Sequence, residues 1–134
     1  MKGFSLALAT ILIATPATVS AAPARPAPRV TVVTVVMADR GFHPQVIRLR
    51  SGVPYRLRFI NRDDTTHDFF APGLLNRAVI TREEGYKLRD GRLNVPPHGE
   101  ASLALTPTFA AAYTAKSTKA LDVVSNMKAQ ILVY

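Results

Sequence analysis

Apolar and polar positions alternate in a series of short segments from residue 30 to the end of the chain. The segments are rich in β-branched and aromatic residues, and Gly, Pro, Asn and Asp separate them at intervals too short for crossover helices. This pattern predicts an antiparallel all-β domain of seven to eight strands, packed as a two-sheet β-sandwich. The predicted strands are residues 30–37, 46–50, 55–60, 67–70, 92–95, 101–105, 113–117 and 129–134.

The alternation is clearest around the turn at Ser51-Gly52. Apolar side chains before and after this turn share one side of their strands, as expected when that side is buried (Ile47, Leu49, Tyr55, Leu57 and Phe59). Arginines occupy the opposite, solvent-facing positions (Arg48, Arg50, Arg56 and Arg58).

The chain is strongly basic, with 17 Lys and Arg against 9 Asp and Glu and a net charge of +8. The strand arginines could form a patch that docks an acidic protein partner or an anionic surface. The alternative is a solvated sheet face whose charges discourage edge pairing. Nucleic acid is not an expected partner, because no aromatic residues interleave with these arginines to stack bases.

Two segments between the predicted strands are ambiguous. Residues 71–84 could form a short helix closed by Gly85, since Leu74, Leu75, Ala78 and Val79 are spaced by three to four residues. A strand within a loop is the alternative. Residues 109–115 are interpreted as a loop that enters a strand, because Pro107 precedes them and Tyr113 favours a strand.

The N-terminus has the pattern of a secretory signal over residues 1–22. Lys2 supplies the positive charge, residues 4–14 are apolar but too short to span a bilayer, and small residues surround a cleavage point after Ala21 or Ala22. A Pro-rich leader at 23–29 and one domain at 30–134 follow. We therefore expect a periplasmic protein without stable membrane insertion once the signal is cleaved.

Composition excludes several kinds of chemistry. The chain has no Cys, so thiolate metal sites, iron–sulfur clusters, disulfides and Cys nucleophiles are ruled out. It also lacks a nucleophile elbow, a phosphate-binding Gly-rich loop and a His-Glu-x-x-His motif. The adjacent Glu83 and Glu84 would point apart on a helix or a strand. An enzyme is therefore not expected.

Several motifs follow one another in an order and spacing that resemble those of the cupredoxins, in particular small bacterial periplasmic cupredoxin-like proteins. They are Gly41-Phe42-His43-Pro44, Gly52-Val53-Pro54-Tyr55, the Asn61 that ends a strand, His67-Asp68-Phe69-Phe70 and Val95-Pro96-Pro97-His98-Gly99-Glu100. The resemblance covers roughly residues 30–134. It implies a Greek-key β-sandwich and draws attention to copper as a cofactor.

In that family a His at the end of the first block and a Cys, a His and a Met on a later loop bind copper. The family spacing, counted from Tyr113, falls on Ser117, Asp122 and Met127. The resemblance therefore implies that His67 and Met127 are retained, while Ser117 and Asp122 replace the Cys and the second His. A degenerate metal site would consist of His67, Asp122 and Met127.

Each of these residues also has a purely structural interpretation. His67 could be a hydrogen-bonded residue at the end of the sandwich, Met127 a core residue and Asp122 a loop residue that bonds its own backbone. His43 and His98 are expected in exposed turns, and their role is not assigned.

Two functions follow from the residues and the resemblance. The first is an exported, non-catalytic metal-handling or partner-binding module without an intact type 1 copper site. The alternative is a copper-binding protein, for copper delivery or electron transfer, that uses the modified site at His67, Asp122 and Met127. Electron transfer as in the parent family would need a thiolate that this chain lacks.

Overall fold

The structure is a computed structural model that describes residues 3, 14 and 16–134. The predicted signal peptide lies largely outside these residues. Residues 16–30, which include the predicted leader, are exposed and belong to neither a helix nor a strand. Within the described residues, no helix is long and apolar enough to cross a membrane.

The described part of the chain contains ten strands and three short helices. In chain order they are β1 (Thr31–Ala38), β2 (Gly41–His43), β3 (Val46–Leu49), β4 (Tyr55–Asn61), β5 (His67–Phe70), α1 (Pro72–Leu75), β6 (Ala78–Val79), α2 (Arg82–Gly85), β7 (Arg92–Val95), β8 (Glu100–Pro107), β9 (Ala111–Lys116), α3 (Ala120–Val124) and β10 (Lys128–Val133). The predicted all-β fold is confirmed, and every predicted strand is present. The two additional strands, β2 and β6, have only three and two residues, too few to show an alternation.

The strands form two five-stranded sheets. The first sheet has the order β2-β1-β4-β8-β6 and the second has the order β3-β10-β9-β5-β7. Most neighbours are antiparallel, but β1 pairs with β4, and β3 with β10, in parallel. The prediction of a purely antiparallel domain is wrong for these two pairs. Because β3 lies in the second sheet, the chain returns to the first sheet at β4 by a crossover and not by a hairpin. Strand β4 therefore runs in the same direction as β1.

The core lies between the two sheets and follows the predicted alternation. Ile47 and Leu49 are buried in β3, as are Tyr55, Leu57 and Phe59 in β4. The rings of Phe59 in the first sheet and Phe69 in the second lie with centroids 4.6 Å apart. Burial of these large apolar side chains is the main force that holds the sheets together.

The ambiguous segment at 71–84 contains elements of both interpretations. It forms two single-turn helices, α1 and α2, with the two-residue strand β6 between them. The predicted single helix with Leu74, Leu75, Ala78 and Val79 on one face is wrong, because Ala78 and Val79 form β6. Helix α2 ends at Gly85, and the Thr81 side chain accepts a hydrogen bond from the Glu84 N–H at its start. The segment at 109–115 is a loop that enters strand β9, as expected.

Helix α2 covers the free edge of β8. The Glu84 carboxylate accepts a hydrogen bond of 3.0 Å from the Ala104 N–H, and the Lys87 ammonium donates to the Ser102 carbonyl at 3.3 Å. The two side chains also form an ion pair of 2.7 Å. These contacts satisfy backbone groups that would otherwise be open to pairing with another strand.

Candidate functional site

The ligand positions implied by the resemblance meet at one end of the sandwich. His67 begins β5, Ser117 follows β9, Asp122 lies in α3 and Met127 precedes β10. All four residues are at most 2% exposed. The structure therefore brings together the residues that the family spacing selected, although they are far apart in the chain.

The loop between β9 and β10 is closed by backbone hydrogen bonds. The Ser117 N–H donates to the Met127 carbonyl at 3.2 Å, and the Met127 N–H donates to the Asp122 carbonyl at 2.9 Å. Asn126 has a φ of 56°, in the left-handed region that Asn tolerates better than most residues. This turn directs the chain from α3 into β10 and holds Met127 beside Ser117.

Both ring nitrogens of His67 contact carboxylates. Its Nδ1 lies 2.6 Å from Oδ2 of Asp122, and its Nε2 lies 2.8 Å from Oδ2 of Asp63. An ionised carboxylate only accepts hydrogen bonds, so both bonds form together when each ring nitrogen carries a proton. The imidazole is fully buried, and the two acids provide the partners that a buried polar ring requires.

Ser117 and Asp68 extend the same network. The Ser117 hydroxyl donates to Oδ2 of Asp122 at 2.5 Å, with Oδ1 of Asp68 at 3.1 Å as the alternative acceptor. Asp68, which is fully buried, also accepts hydrogen bonds from the N–H and the hydroxyl of Thr118. We refer to His67, Asp63, Asp68, Ser117 and Asp122 as the His67 network.

Asp63 is the member of the network nearest to solvent. Burial raises the pKa of its carboxyl, but hydrogen bonds from the Arg40 N–H, from His67 and from the Asp39 N–H outweigh that effect and lower the pKa below its usual value. The two N–H groups lie 3.0 and 2.9 Å from the carboxylate. They fix the side chain in the orientation that reaches His67.

The donor set does not fit a type 1 copper centre. Such a centre depends on a cysteine thiolate, whereas the chain has no Cys and Ser117 occupies the corresponding position. Asp63 and Asp122 contact different nitrogens of His67, so a metal ion bound to one nitrogen could be shared with only one of them. Within the described residues, no three imidazole or carboxylate groups are arranged to hold a metal ion.

A cavity of about 200 Å³ reaches the site from one side. Its lining includes Ser117, Asp122 and Met127, together with Val123 and the lysines Lys116 and Lys128. Oδ1 of Asp122 accepts no hydrogen bond from the part of the chain that the structure describes, since both of its side-chain contacts involve Oδ2. This oxygen and the Met127 thioether are therefore the potential metal ligands at the site that make no hydrogen bond within the His67 network.

The other two histidines are exposed, as expected, but His43 ends strand β2 and only His98 lies in a turn. Nε2 of His43 lies 3.2 Å from the Ala38 carbonyl, and Nε2 of His98 lies 2.6 Å from Oδ1 of Asp64. Neither ring contacts His67. The backbone of His98 does approach the network, because its N–H donates to the Asp63 carbonyl at 3.3 Å.

Sequence reasoning did not identify Asp63 as a partner of His67. The available signal was a pair of carboxylates, Asp63 and Asp64, within four residues of the histidine. Nothing in the sequence selects Asp63 over Asp64, because the choice depends on the turn after β4. There the Asn61 side chain accepts from the Asp63 N–H at 2.9 Å and donates to the Thr65 and Val95 carbonyls.

Several solved structures are similar in fold to this one. Auracyanin B matches with a TM-score of 0.58 and 14% identity over 83% of this chain and 93% of that chain. Auracyanin A, described as a blue copper protein from Chloroflexus aurantiacus, matches with a TM-score of 0.58 and 11% identity over 78% and 98%. The metal-binding domain of the Cu(I)-exporting P-type ATPase of Streptococcus pneumoniae, solved with Cu(I), has a TM-score of 0.50 and 16% identity over 77% and 84%.

At these identities the likeness establishes the fold alone. No curated protein sequence matches the chain. A family model described as the cupredoxin-like domain matches residues 5–110, which include His67 but end before Ser117, Asp122 and Met127. The chain belongs to the cupredoxin-like domain family.

Proposed function

We propose that this protein is an exported cupredoxin-fold module that works by binding a protein partner, without catalysis and without a type 1 copper centre. The observation that carries the proposal is the pair of carboxylates on His67, at 2.6 and 2.8 Å. A histidine whose two nitrogens are already engaged has no free lone pair to offer a metal ion. The hydrogen-bond network thus replaces the metal as the group that holds this end of the sandwich together.

The same geometry argues against hydrolytic chemistry. In a catalytic triad the serine hydroxyl is hydrogen-bonded to the imidazole that accepts its proton. The Ser117 hydroxyl instead donates to Asp122. Ser117 is also 1% exposed. The Ser117 hydroxyl therefore does not contact the imidazole that would accept its proton in a catalytic triad.

Copper titration of the metal-free mature chain tests this proposal. We expect calorimetry and visible and EPR spectra with Cu(II), and competition assays with Cu(I), to show only weak binding by exposed histidines. A His43→Ala/His98→Ala variant should remove that background, because these two rings are the exposed ones. Stoichiometric binding that survives in this variant and disappears in His67→Ala would contradict the proposal.

Copper binding at a modified site is the second candidate function. It is favoured by the cavity that reaches Asp122 and Met127 and by the free Oδ1 of Asp122. In this case His67 would exchange its bond to Asp122 for the metal, with Met127 as a soft ligand suited to Cu(I). Copper delivery or electron transfer would then be the role.

The variant Met127→Leu separates the two candidates, because Leu preserves the buried volume but has no sulfur donor. If copper binds through Met127, the substitution should weaken Cu(I) binding while leaving the fold unchanged by circular dichroism. If the network replaces the metal, the titration curves of the variant and the parent should coincide.

A further inference from the structure

We propose that the outer face of the second sheet is a docking surface for an acidic segment of a partner protein. The surface is a row of four residues on neighbouring strands, Arg92, Phe70, Lys116 and Lys128, which we call the basic row. This inference rests on the proposed function and specifies the chemistry of the partner.

Strand register places the four side chains side by side. Phe70 in β5 is paired with Arg92 in β7 on one side and with Lys116 in β9 on the other, and Lys116 is paired with Lys128 in β10. Residues directly opposite each other in antiparallel strands project from the same face of the sheet. With strands about 4.8 Å apart, the row extends over about 14 Å.

Among the described residues, the two lysines of the basic row have no ion-pair partner, whereas Arg92 lies 4.0 Å from the Asp68 carboxylate. The five strands of the second sheet contain a single acidic residue, Asp68, which is fully buried in the His67 network. Lys116 and Lys128 are exposed, and within the described residues neither forms an ion pair. Two like charges directly opposite each other lower the stability of a sheet, so their pairing is not explained by folding.

The first sheet shows that the chain does neutralise cations elsewhere. Arg58 forms an ion pair of 2.6 Å with Glu100, and Arg56 lies 3.5 Å from Glu84. The uncompensated charge of Lys116 and Lys128 is therefore a property of one face and not of the whole surface.

Phe70 holds two of the cations in position. Cζ of Arg92 lies 4.9 Å from the centre of the Phe70 ring, and Nζ of Lys116 lies 5.8 Å from it. Both distances are within the range of cation–π attraction. Nη1 of Arg92 donates to the Asp90 carbonyl at 3.3 Å, whereas its Nε is buried without a hydrogen-bond partner and lies 4.0 Å from Asp68.

An arginine that is held in this way is ready to bind a carboxylate. The planar guanidinium loses little conformational freedom on binding, because the ring and the Asp90 carbonyl already fix it, and its fork matches the two oxygens of a carboxylate. The Arg92 side chain is 36% exposed, so part of the fork is accessible. Lys116 and Lys128 add two positive charges farther along the row, on β9 and β10.

A protein segment fits this surface better than a lipid bilayer does. The neighbouring positions on the same face, Thr114 and Gln130, are exposed polar residues that can hydrogen-bond to a peptide. Alternate residues of an extended segment lie about 6.6 Å apart, so a segment with acids at alternate positions could contact both the Arg92 end and the lysine end of the row. The occupant that we infer is an extended segment rich in Glu or Asp.

A fluorescence titration with a defined peptide tests the inference. The probe is a peptide of alternating Glu and Ser with one terminal Trp, whose emission is free of background because the protein has no Trp. We expect saturable binding that weakens as salt is added. In Arg92→Gln/Lys116→Gln/Lys128→Gln the Kd should rise about tenfold or more, which corresponds to about 1.4 kcal/mol.

Matched variants separate this surface from overall charge and from folding. Arg29→Gln/Arg62→Gln/Arg82→Gln removes three charges from exposed positions outside the row, and its Kd should stay within about twofold of the parent. Lys116→Gln/Lys128→Gln retains Arg92 and its contact with Asp68, and it should still weaken binding. Circular dichroism of each variant verifies the fold.

Three results would overturn the inference. They are no binding of the peptide by the parent protein, an equal loss of affinity in the two triple variants, and binding to phosphatidylglycerol vesicles in place of the peptide. None of them affects the copper titration, which tests the proposed function separately. A failure of the docking surface can therefore be distinguished from a failure of the proposed function.

Discussion

The two sides of strand β5 differ in whether their positively charged groups have carboxylate partners. On the inner side, the ring of His67 is fully buried between two carboxylates. On the outer side, Phe70 lies between Arg92 and Lys116, and among the described residues the exposed Lys116 and Lys128 form no ion pair. One four-residue strand thus connects a closed, compensated network with an open surface on which two lysines form no ion pair among the described residues.

The difference follows from the cost of removing charge from water. A buried polar or charged group without a partner is costly, so loss of a partner in the inner site should destabilise the domain. An exposed ammonium remains hydrated, so the absence of a partner there costs little. Complete compensation therefore indicates a structural role, whereas exposed cations without a partner remain available to bind an acidic ligand.

Removal of Asp122 should have the largest effect. The substitution Asp122→Ala leaves Nδ1 of His67 and the Ser117 hydroxyl without their shared acceptor in a buried site. We expect the free energy of unfolding to fall by about 3–5 kcal/mol, as measured by urea denaturation with tyrosine fluorescence or circular dichroism.

Asp64→Ala is the matched control for that substitution. The Asp64 side chain is 93% exposed and, among the described residues, hydrogen-bonds only to the exposed His98, so its loss should leave the urea midpoint nearly unchanged. If the two variants were equally stable, the contact between His67 and Asp122 would not stabilise the domain. This result would contradict the proposed difference between the two sides of β5.

Ser117→Ala should produce the next largest effect. The hydroxyl donates to Asp122, and the Asp68 N–H donates to the hydroxyl at 3.3 Å. Its removal leaves a buried N–H without a partner, with an expected loss of about 1–3 kcal/mol. Ser117→Thr retains the hydroxyl and serves as the rescue. The network would be dispensable if Ala and Thr at this position gave the same urea curve.

Acidification should weaken the contacts that Glu84 makes with the edge of β8 and with Lys87. Burial raises the pKa of the Glu84 carboxyl, but hydrogen bonds from Lys87 and the Ala104 N–H, together with the charges of Lys87 and Arg56, lower it overall. A carboxyl with a lowered pKa in the folded state stabilises the fold above its unfolded pKa, and the contribution is lost as the pH falls through the folded pKa.

The measurement for Glu84 is the urea midpoint as a function of pH for the parent and for Glu84→Gln. The parent should lose more stability than the variant on acidification, because Gln cannot ionise. Parallel pH profiles would show that the Glu84 contacts contribute nothing. We expect the effect to be smaller than that of Ser117→Ala, because the Lys87 partner is 40% exposed and its charge is screened by solvent.

The smallest effect should have the opposite sign. Lys128→Gln removes one of two like charges that face each other across β9 and β10, so the domain should gain at most about 1 kcal/mol of stability. Arg58→Gln, which breaks the surface pair with Glu100, should cause a slight loss instead. A loss of stability in Lys128→Gln would mean that the basic row is a structural feature.

The sequence predicted the sandwich because the alternation in β3 and β4 is a local signal. It did not predict the parallel pairing of β1 with β4, since strand direction depends on the crossover through the second sheet. The spacing that leads from Tyr113 to Ser117, Asp122 and Met127 did select residues that lie together, because the loop keeps the family length. Whether they bind a metal stays a prediction.

The partners of His67 could be predicted only in part. Asp122 was selected by spacing, but as a metal ligand and not as a hydrogen-bond acceptor 55 residues from the histidine. Asp63 was missed because its contact depends on a turn fixed by the Asn61 side chain. The basic row was missed as well, because the sequence emphasised the arginines around Ser51-Gly52, two of which lie within 3.5 Å of a carboxylate.

The most direct test of the central claim is an NMR measurement of the His67 ring. A long-range proton–nitrogen spectrum of the nitrogen-15-labelled protein reports whether each imidazole nitrogen carries a proton, and it can be repeated with stoichiometric Cu(I) or Zn(II). The account predicts a proton on both ring nitrogens and a His67 signal that the metal does not change. A bare nitrogen that shifts when the metal is added would contradict it and would identify His67 as a ligand.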